Sequence, residues 1–180
     1  MISANVVEIV TPKRVRLNGL WCGMKKPKRV IVWMHGLGSS VFSKLDIIYL
    51  LARGDTAVLS FNNRGHDVVS KSTCGKKRII AGAAHEGFTD CVDDIQGAIN
   101  LVKKQGVRDI YLVGHSTGCQ KAIYWAAKNK GKGVNGIILL APISDYAGIS
   151  VDERNMLARA TKQARAFVET GKPHELLSTN

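Results

Sequence analysis

The chain has 180 residues, 45% of them hydrophobic, and a formal charge of +12, which suits one domain with a sizeable core and leaves little room for a second. No apolar run approaches the roughly 18 residues of a membrane span, and MISANVVEIVTPKR at the N-terminus lacks the features of a secretory signal, so a cytoplasmic protein with no membrane partner is expected. Cys22, Cys74, Cys91 and Cys119 are scattered and form no CxxC pair; they read as reduced thiols, with neither a zinc site nor a disulfide framework implied.

Residues 5–22 (NVVEIVTPKRVRLNGLWC) predict two strands around a Thr11-Pro12 turn, ending at Asn18-Gly19. Residues 29–34 (RVIVWM) form a continuous apolar run, as in a strand buried on both faces. After the break at HGLGSS, Val41, Leu45, Ile48 and Ala52 fall on one helical face, with Ser39 or Ser40 as the N-cap and Gly54-Asp55 as the stop. Residues 56–61 (TAVLSF) predict a strand, 62–67 (NNRGHD) its loop, and 68–84 a longer basic excursion. Phe88, Cys91, Val92, Ile95, Ile99 and Val102 make a helical stripe that stops at Gly106.

The next strand is predicted over 109–113 and the next helix over 118–130, with Ala122, Ile123, Ala126 and Ala127 facing inward. Residues 134–141 (VNGIILLA) predict one more buried strand, ended by Pro142. From 151 to 171 the residues Met156, Leu157, Ala160, Ala164, Phe167 and Val168 predict one long helix, with no strand after it. Alternating buried strands and amphipathic helices imply an α/β fold, a mostly parallel sheet with helices on both faces joined by right-handed crossovers.

Within DIYLVGHSTGCQKAIYWAAK (109–128) a buried strand runs into G-x-S-x-G and then directly into a helix. That context makes Ser116 a candidate nucleophile on a strained strand-to-helix turn. Gly114 and Gly118 sit two residues either side of it, where a larger side chain would collide with the neighbouring strand and helix. Thr117 opens the helix, so its backbone N–H is unpaired and available to a developing oxyanion. The turn after RVIVWM would present the N–H of Leu37 as a second donor.

HGLGSS, FNNRGHD and GHSTG in this order resemble the α/β-hydrolase superfamily, over roughly residues 5–150. GHSTGCQ and APISD are most similar to a subfamily that includes siderophore (fusarinine-type) esterases. The resemblance implies an α/β-hydrolase core over 1–150 and the start of a cap helix over 151–180. It implies a serine hydrolase acting on a carboxylic ester through a Ser116 acyl-enzyme, with Leu37 and Thr117 as the oxyanion hole. A thioesterase or peptidase of the same fold is the alternative within enzymes; a binding protein on a hydrolase scaffold with a basic surface is the other. The family order places an Asp or Glu and then a His after further strands, and the last strands are not visible here. The general base and acid are therefore expected to be missing, and neither is assigned.

His35 reads as a structural residue of its loop, and Arg64 and His66 as residues that fix theirs by hydrogen bonding. His85, Glu86, Asp90, Asp93 and Asp94 could suggest metal ligands, but the three aspartates suit the first turn of a helix, and no metal is expected. Asp145 with His174 would keep the triad order only as an improvised set, and Cys119 reads as packing. HGLGSS lacks the signatures of a phosphate-binding loop, so no cofactor is expected. The dense basic clusters Lys25-Lys26-Pro27-Lys28-Arg29 and Lys76-Lys77-Arg78 carry no interleaved aromatics. They read as solvated loops; a small-molecule ester substrate is expected, and nucleic acid is not.

Overall fold

The computed structural model describes residues 3–144, 147–173 and 175–177. The chain divides into two units, Met1–Ile143 and Ser144–Asn180. In the first, β1 (Ala4–Val10), β2 (Val15–Cys22), β3 (Arg29–Met34), β4 (Thr56–Phe61), β5 (Ser70–Cys74), β6 (Lys77–Ala81), β7 (Asp109–His115) and β8 (Gly136–Leu140) form one mixed sheet. Its order is β6-β5-β2-β4-β3-β7-β8, with β1 paired to β2. The β4-β3-β7-β8 half is parallel, and the half built from β1, β2, β5 and β6 is antiparallel.

The apolar run of β3 is explained by its place at the centre of the parallel half. Val30, Val32 and Met34 face one core cluster, shared with Ile95, Ile99 and Trp125 of α2 (Cys91–Lys104) and α3 (Thr117–Asn129). Ile31 and Trp33 face the other cluster, shared with Ile48 of α1 (Leu45–Leu51). Helices thus cover both faces, and each fully buried large side chain contributes about 1.5–3 kcal/mol.

Four local expectations are corrected. The N-cap of α1 is Lys44, at φ 61°, not Ser39 or Ser40; those serines lie in the preceding turns, where the Ser40 carbonyl accepts from the Ser43 N–H. The basic excursion is a hairpin, β5–β6, turning at Gly75 with φ 60°. On α3 the buried positions include Lys121, Ala122 and Trp125, whereas Ile123 is exposed. β8 is not buried: among the described residues it ends the sheet with only β7 beside it, and Ile138 and Leu139 are exposed.

The second unit holds α4 (Val151–Glu169). Its N-terminus is a capping box, in which Ser150 Oγ accepts from the Glu153 N–H and Glu153 Oε2 accepts from the Ser150 N–H. Two orphan donors are satisfied reciprocally.

Candidate functional site

β3, β4 and β7 run parallel, so the loops leaving their C-terminal ends gather at one edge of the sheet. There Ser116 has φ 55° and ψ −125°, a backbone conformation that costs a non-glycine residue about 1–3 kcal/mol and persists only where its surroundings enforce it. Four contacts do so. The Ser116 N–H donates to the Leu140 carbonyl at 3.0 Å, and the Cys119 N–H donates to the Ser116 carbonyl at 2.9 Å. The Cys119 thiol donates to the carbonyls of Gly114 (3.1 Å) and Leu140 (3.3 Å), so the packing residue of the sequence is also a clamp on the turn.

The flanking glycines are sterically required. A Cβ on Gly114 would lie 2.5 Å from the Gly118 carbonyl, and one on Gly118 would overlap the Met34 carbonyl oxygen. Gly36 is the third: its Cβ would stand 3.1 Å from Ser116 Cβ and 3.4 Å from Oγ. The HGLG turn therefore packs its bare backbone against the serine side chain.

That turn is held from two sides. His35 is buried, and its Nδ1–H donates to the Gly36 carbonyl at 2.8 Å. Burial pulls its pKa down to about 4, so the ring is neutral at pH 7. Further along, the Val41 N–H donates to Asn62 Oδ1 (2.7 Å), Ser60 Oγ–H to the Val41 carbonyl (3.0 Å), and the Asp67 N–H to the Ser39 carbonyl (2.9 Å). Among the described residues, the backbone N–H groups of Leu37 and Thr117 have no acceptor. His115, just before the serine, stacks on Trp33 at 6.4 Å between ring centroids; burial lowers its pKa, and the charge of Lys44 lowers it further.

Behind the turn lies a charge network that the sequence did not disclose. Arg64 Nε–H donates to Asp94 Oδ1 at 2.7 Å, and its backbone N–H donates to Asp94 Oδ2 at 2.8 Å. Its Nη atoms pair with Asp93 (2.5 Å) and Asp90 (3.1 Å). The three aspartates are thus the grip on the NRGH loop, a more specific task than complementing a helix dipole. Burial raises the Asp94 pKa to about 6 even against the opposing pull of Arg64. Lys121 of α3 is buried too: Nζ donates to Glu86 Oε1 (2.7 Å), Oε2 (2.8 Å) and Asn63 Oδ1 (3.1 Å). Glu86 lies against the bare Cα of Gly65, where any Cβ would overlap the carboxylate. The spacing of Lys121 on α3 could have flagged it, since it falls on the Gly118-Ala122-Trp125 side, but its partner is 35 residues away.

His66 Nδ1 pairs with Asp67 at 2.9 Å on the loop. Among the described residues, no group of three His, Cys, Asp or Glu side chains could hold a metal ion. Asp145 and His174 lie outside the described residues.

A family model described as serine aminopeptidase S33 matches residues 25–178. The chain belongs to the serine aminopeptidase S33 family. Its sheet order, crossovers and elbow are those of the α/β-hydrolase fold. This S33-family chain is 26% identical over 117 residues to a proline iminopeptidase of Clostridioides difficile, covering 65% of this chain and 36% of that protein. In structure it is similar to an esterase of Pyrococcus furiosus (TM-score 0.63, 20% identity, 95% of this chain and 64% of that one). It is also similar to a thermostable carboxyl esterase of Bacillus coagulans (TM-score 0.67, 16% identity, 97% of this chain and 53% of that one). At such identities the two structures speak to the fold alone. The S33-family chain spans well under half the length of the curated relative.

Proposed function

We propose that the chain is of serine-hydrolase type, acting on carboxylic esters with Ser116 as its nucleophile. The observation that supports this most is Ser116 at φ 55° on the turn from β7 into α3, with Gly36 packed against its side chain. Ser116 Oγ attacks the ester carbonyl carbon, and the tetrahedral oxyanion is taken by the N–H groups of Leu37 and Thr117. The alcohol leaves with the proton that Ser116 Oγ gave up, and water then hydrolyses the acyl-enzyme, releasing the carboxylic acid and restoring the Ser116 hydroxyl. No base or acid is assigned. His35 is unsuited to the base role, because its Nδ1–H is committed to Gly36 and its ring is sealed in the core. Residues 151–180 are proposed as the start of a cap helix. A cytoplasmic setting accords with the four free thiols.

The likeness of GHSTGCQ and APISD to siderophore esterases makes hydroxamate-bearing esters the first substrates to try. A second reading, an aminopeptidase, is favoured by the family description and by the name of the curated relative. The test is incubation with a fluorophosphonate probe, followed by peptide mapping of the adduct. Label on Ser116 that vanishes in Ser116→Ala is expected; label that survives that substitution overturns the assignment. Burst hydrolysis of a p-nitrophenyl ester against a prolyl p-nitroanilide separates the two readings.

A further inference from the structure

Two basic stretches far apart in sequence meet at the antiparallel end of the sheet. The Pro12-Lys13-Arg14 turn joins β1 to β2, and the Gly75-Lys76 turn joins β5 to β6. The Gly75 N–H donates to the Arg14 carbonyl at 2.9 Å, and the Cys74 thiol donates to the Lys13 carbonyl at 3.3 Å across 61 residues. Behind this cationic tip, the strand register pairs Arg16 with Thr73, Thr73 with Arg78, and Lys71 with Ile80. Paired residues present their side chains on one face, so these five share the outer face, while Ile79 packs inward against the core.

The same face continues onto β1, where Val10 pairs with Arg16 and Val6 with Leu20. Val6, Val10 and Ile80 are 80%, 51% and 64% exposed. Glu8 neutralises Arg16 at 2.6 Å. Among the described residues, no ion pair is made by Lys13, Arg14, Lys71, Lys76, Lys77 or Arg78. A shallow cavity of about 290 Å3 opens between Glu8, Arg16, Asn18, Lys71, Thr73 and Arg78, with the Glu8 carboxylate on its Arg16 side and the unpaired cations Lys71 and Arg78 on the other.

Scattered exposed aliphatics are ordinary on a protein surface, but here they alternate with unpaired cations on one flat face. Nucleic acid fits poorly, because this face offers no aromatic side chain for base stacking and its valines and isoleucine would meet only charged phosphate. A bilayer surface satisfies both halves: lipid phosphates accept from Lys and Arg, and aliphatic tips reach the boundary between headgroups and acyl chains. No helix among the described residues is long and apolar enough to cross a membrane; the contact argued for is made by this sheet face at the bilayer surface.

We propose that this outer face docks on an anionic phospholipid bilayer, with a lipid phosphate held by the unpaired Lys71 and Arg78 and with Val10 and Ile80 at the headgroup boundary. It stands independently of the chemistry at Ser116.

The test is co-sedimentation of the full chain with vesicles of phosphatidylcholine alone or with about one-third phosphatidylserine. Binding to the anionic vesicles only is expected, with loss in roughly 0.5 M salt. Each surface cation removed weakens partitioning about fivefold, so Lys71→Ala with Arg78→Ala lowers it about 25-fold. Ile80→Ser weakens it severalfold without changing the salt dependence. All three positions are exposed, and unchanged urea midpoints confirm intact folding. Three results overturn the proposal: no sedimentation with anionic vesicles, equal binding by the double variant, or equally tight binding of glycerol phosphate or single-stranded RNA at matched phosphate concentration.

Discussion

Replacing Arg64 by Met keeps most of the side-chain volume and deletes the charge that three aspartates surround. Asp94 is then fully buried with its carboxylate facing an apolar chain, and Asp93 loses its 2.5 Å partner. Breaking a buried pair from one side costs about 3–5 kcal/mol. With a urea slope of about 2 kcal/mol per M, the midpoint falls by roughly 2 M. The pH dependence separates this mechanism from simple loss of packing. In the native chain the Asp94 pKa is raised to about 6, above its unfolded value near 3.9. The stability this group contributes is fully present below about pH 4 and is lost as pH rises through about 6. Without Arg64 the folded pKa climbs further, because the charge that opposed burial is gone. The deficit of Arg64→Met is therefore largest near pH 8 and shrinks toward about pH 5, where Asp94 protonates. Urea titrations of both proteins at the two pH values measure it. A midpoint within about 0.3 M of the parent, or an equal loss at both pH values, refutes the reasoning.

Lys121→Met strands the Glu86 carboxylate against Gly65 and is expected to cost about 3–5 kcal/mol, while Lys121→Met combined with Glu86→Leu recovers most of that loss in urea denaturation. Ser116→Gly relieves the φ 55° backbone, so scanning calorimetry is expected to show a gain of about 1 kcal/mol, or 2–4 °C, while probe labelling disappears. Gly118→Ala drives a methyl into the Met34 carbonyl; a loss of at least about 1–3 kcal/mol is expected, with probe labelling reduced in parallel. Among the four thiols, Cys74 is the one not buried, whereas burial pushes the Cys91 pKa up to about 12. Ellman titration of the native protein is expected to modify Cys74 first, and the other three only after denaturant is added.

The parallel half of the sheet was legible because its strands are buried on both faces, which leaves uninterrupted apolar runs such as RVIVWM and TAVLSF with sharp ends. The β5–β6 hairpin escaped notice because one of its faces meets solvent: SKSTC is polar or basic up to its last residue, KRIIA opens on two cations, and only Cys74, Ile79 and Ala81 turn to the core. The exposure of β8 was hidden for a different reason. GIILL looks the same at a sheet edge as at its centre, and only the strand order decides which it is. At the site, GHSTG and HGLG announced the turn and its neighbour. The ion pairs behind them did not announce themselves, since Lys121 and Glu86 are surface residues by composition, and Lys121 is buried because Glu86 and Asn63 take up its ammonium.

The central position of β3 also sets the order in which the chain can assemble. Its first partner, β4, follows within one helix, but Arg29 waits for Asp109, 80 residues later. At about 5–20 residues per second on the ribosome, that interval is roughly 4–16 s. Throughout it, one edge of RVIVWM has backbone groups unpaired and apolar side chains without a cover. Gly36 cannot meet Ser116 until β7 docks, so the corner that joins the HGLG turn to the Ser116 turn is among the last parts to close. The nascent chain is thus most prone to misassociate just before that corner closes, and slower, cooler synthesis with a holdase present should favour its recovery.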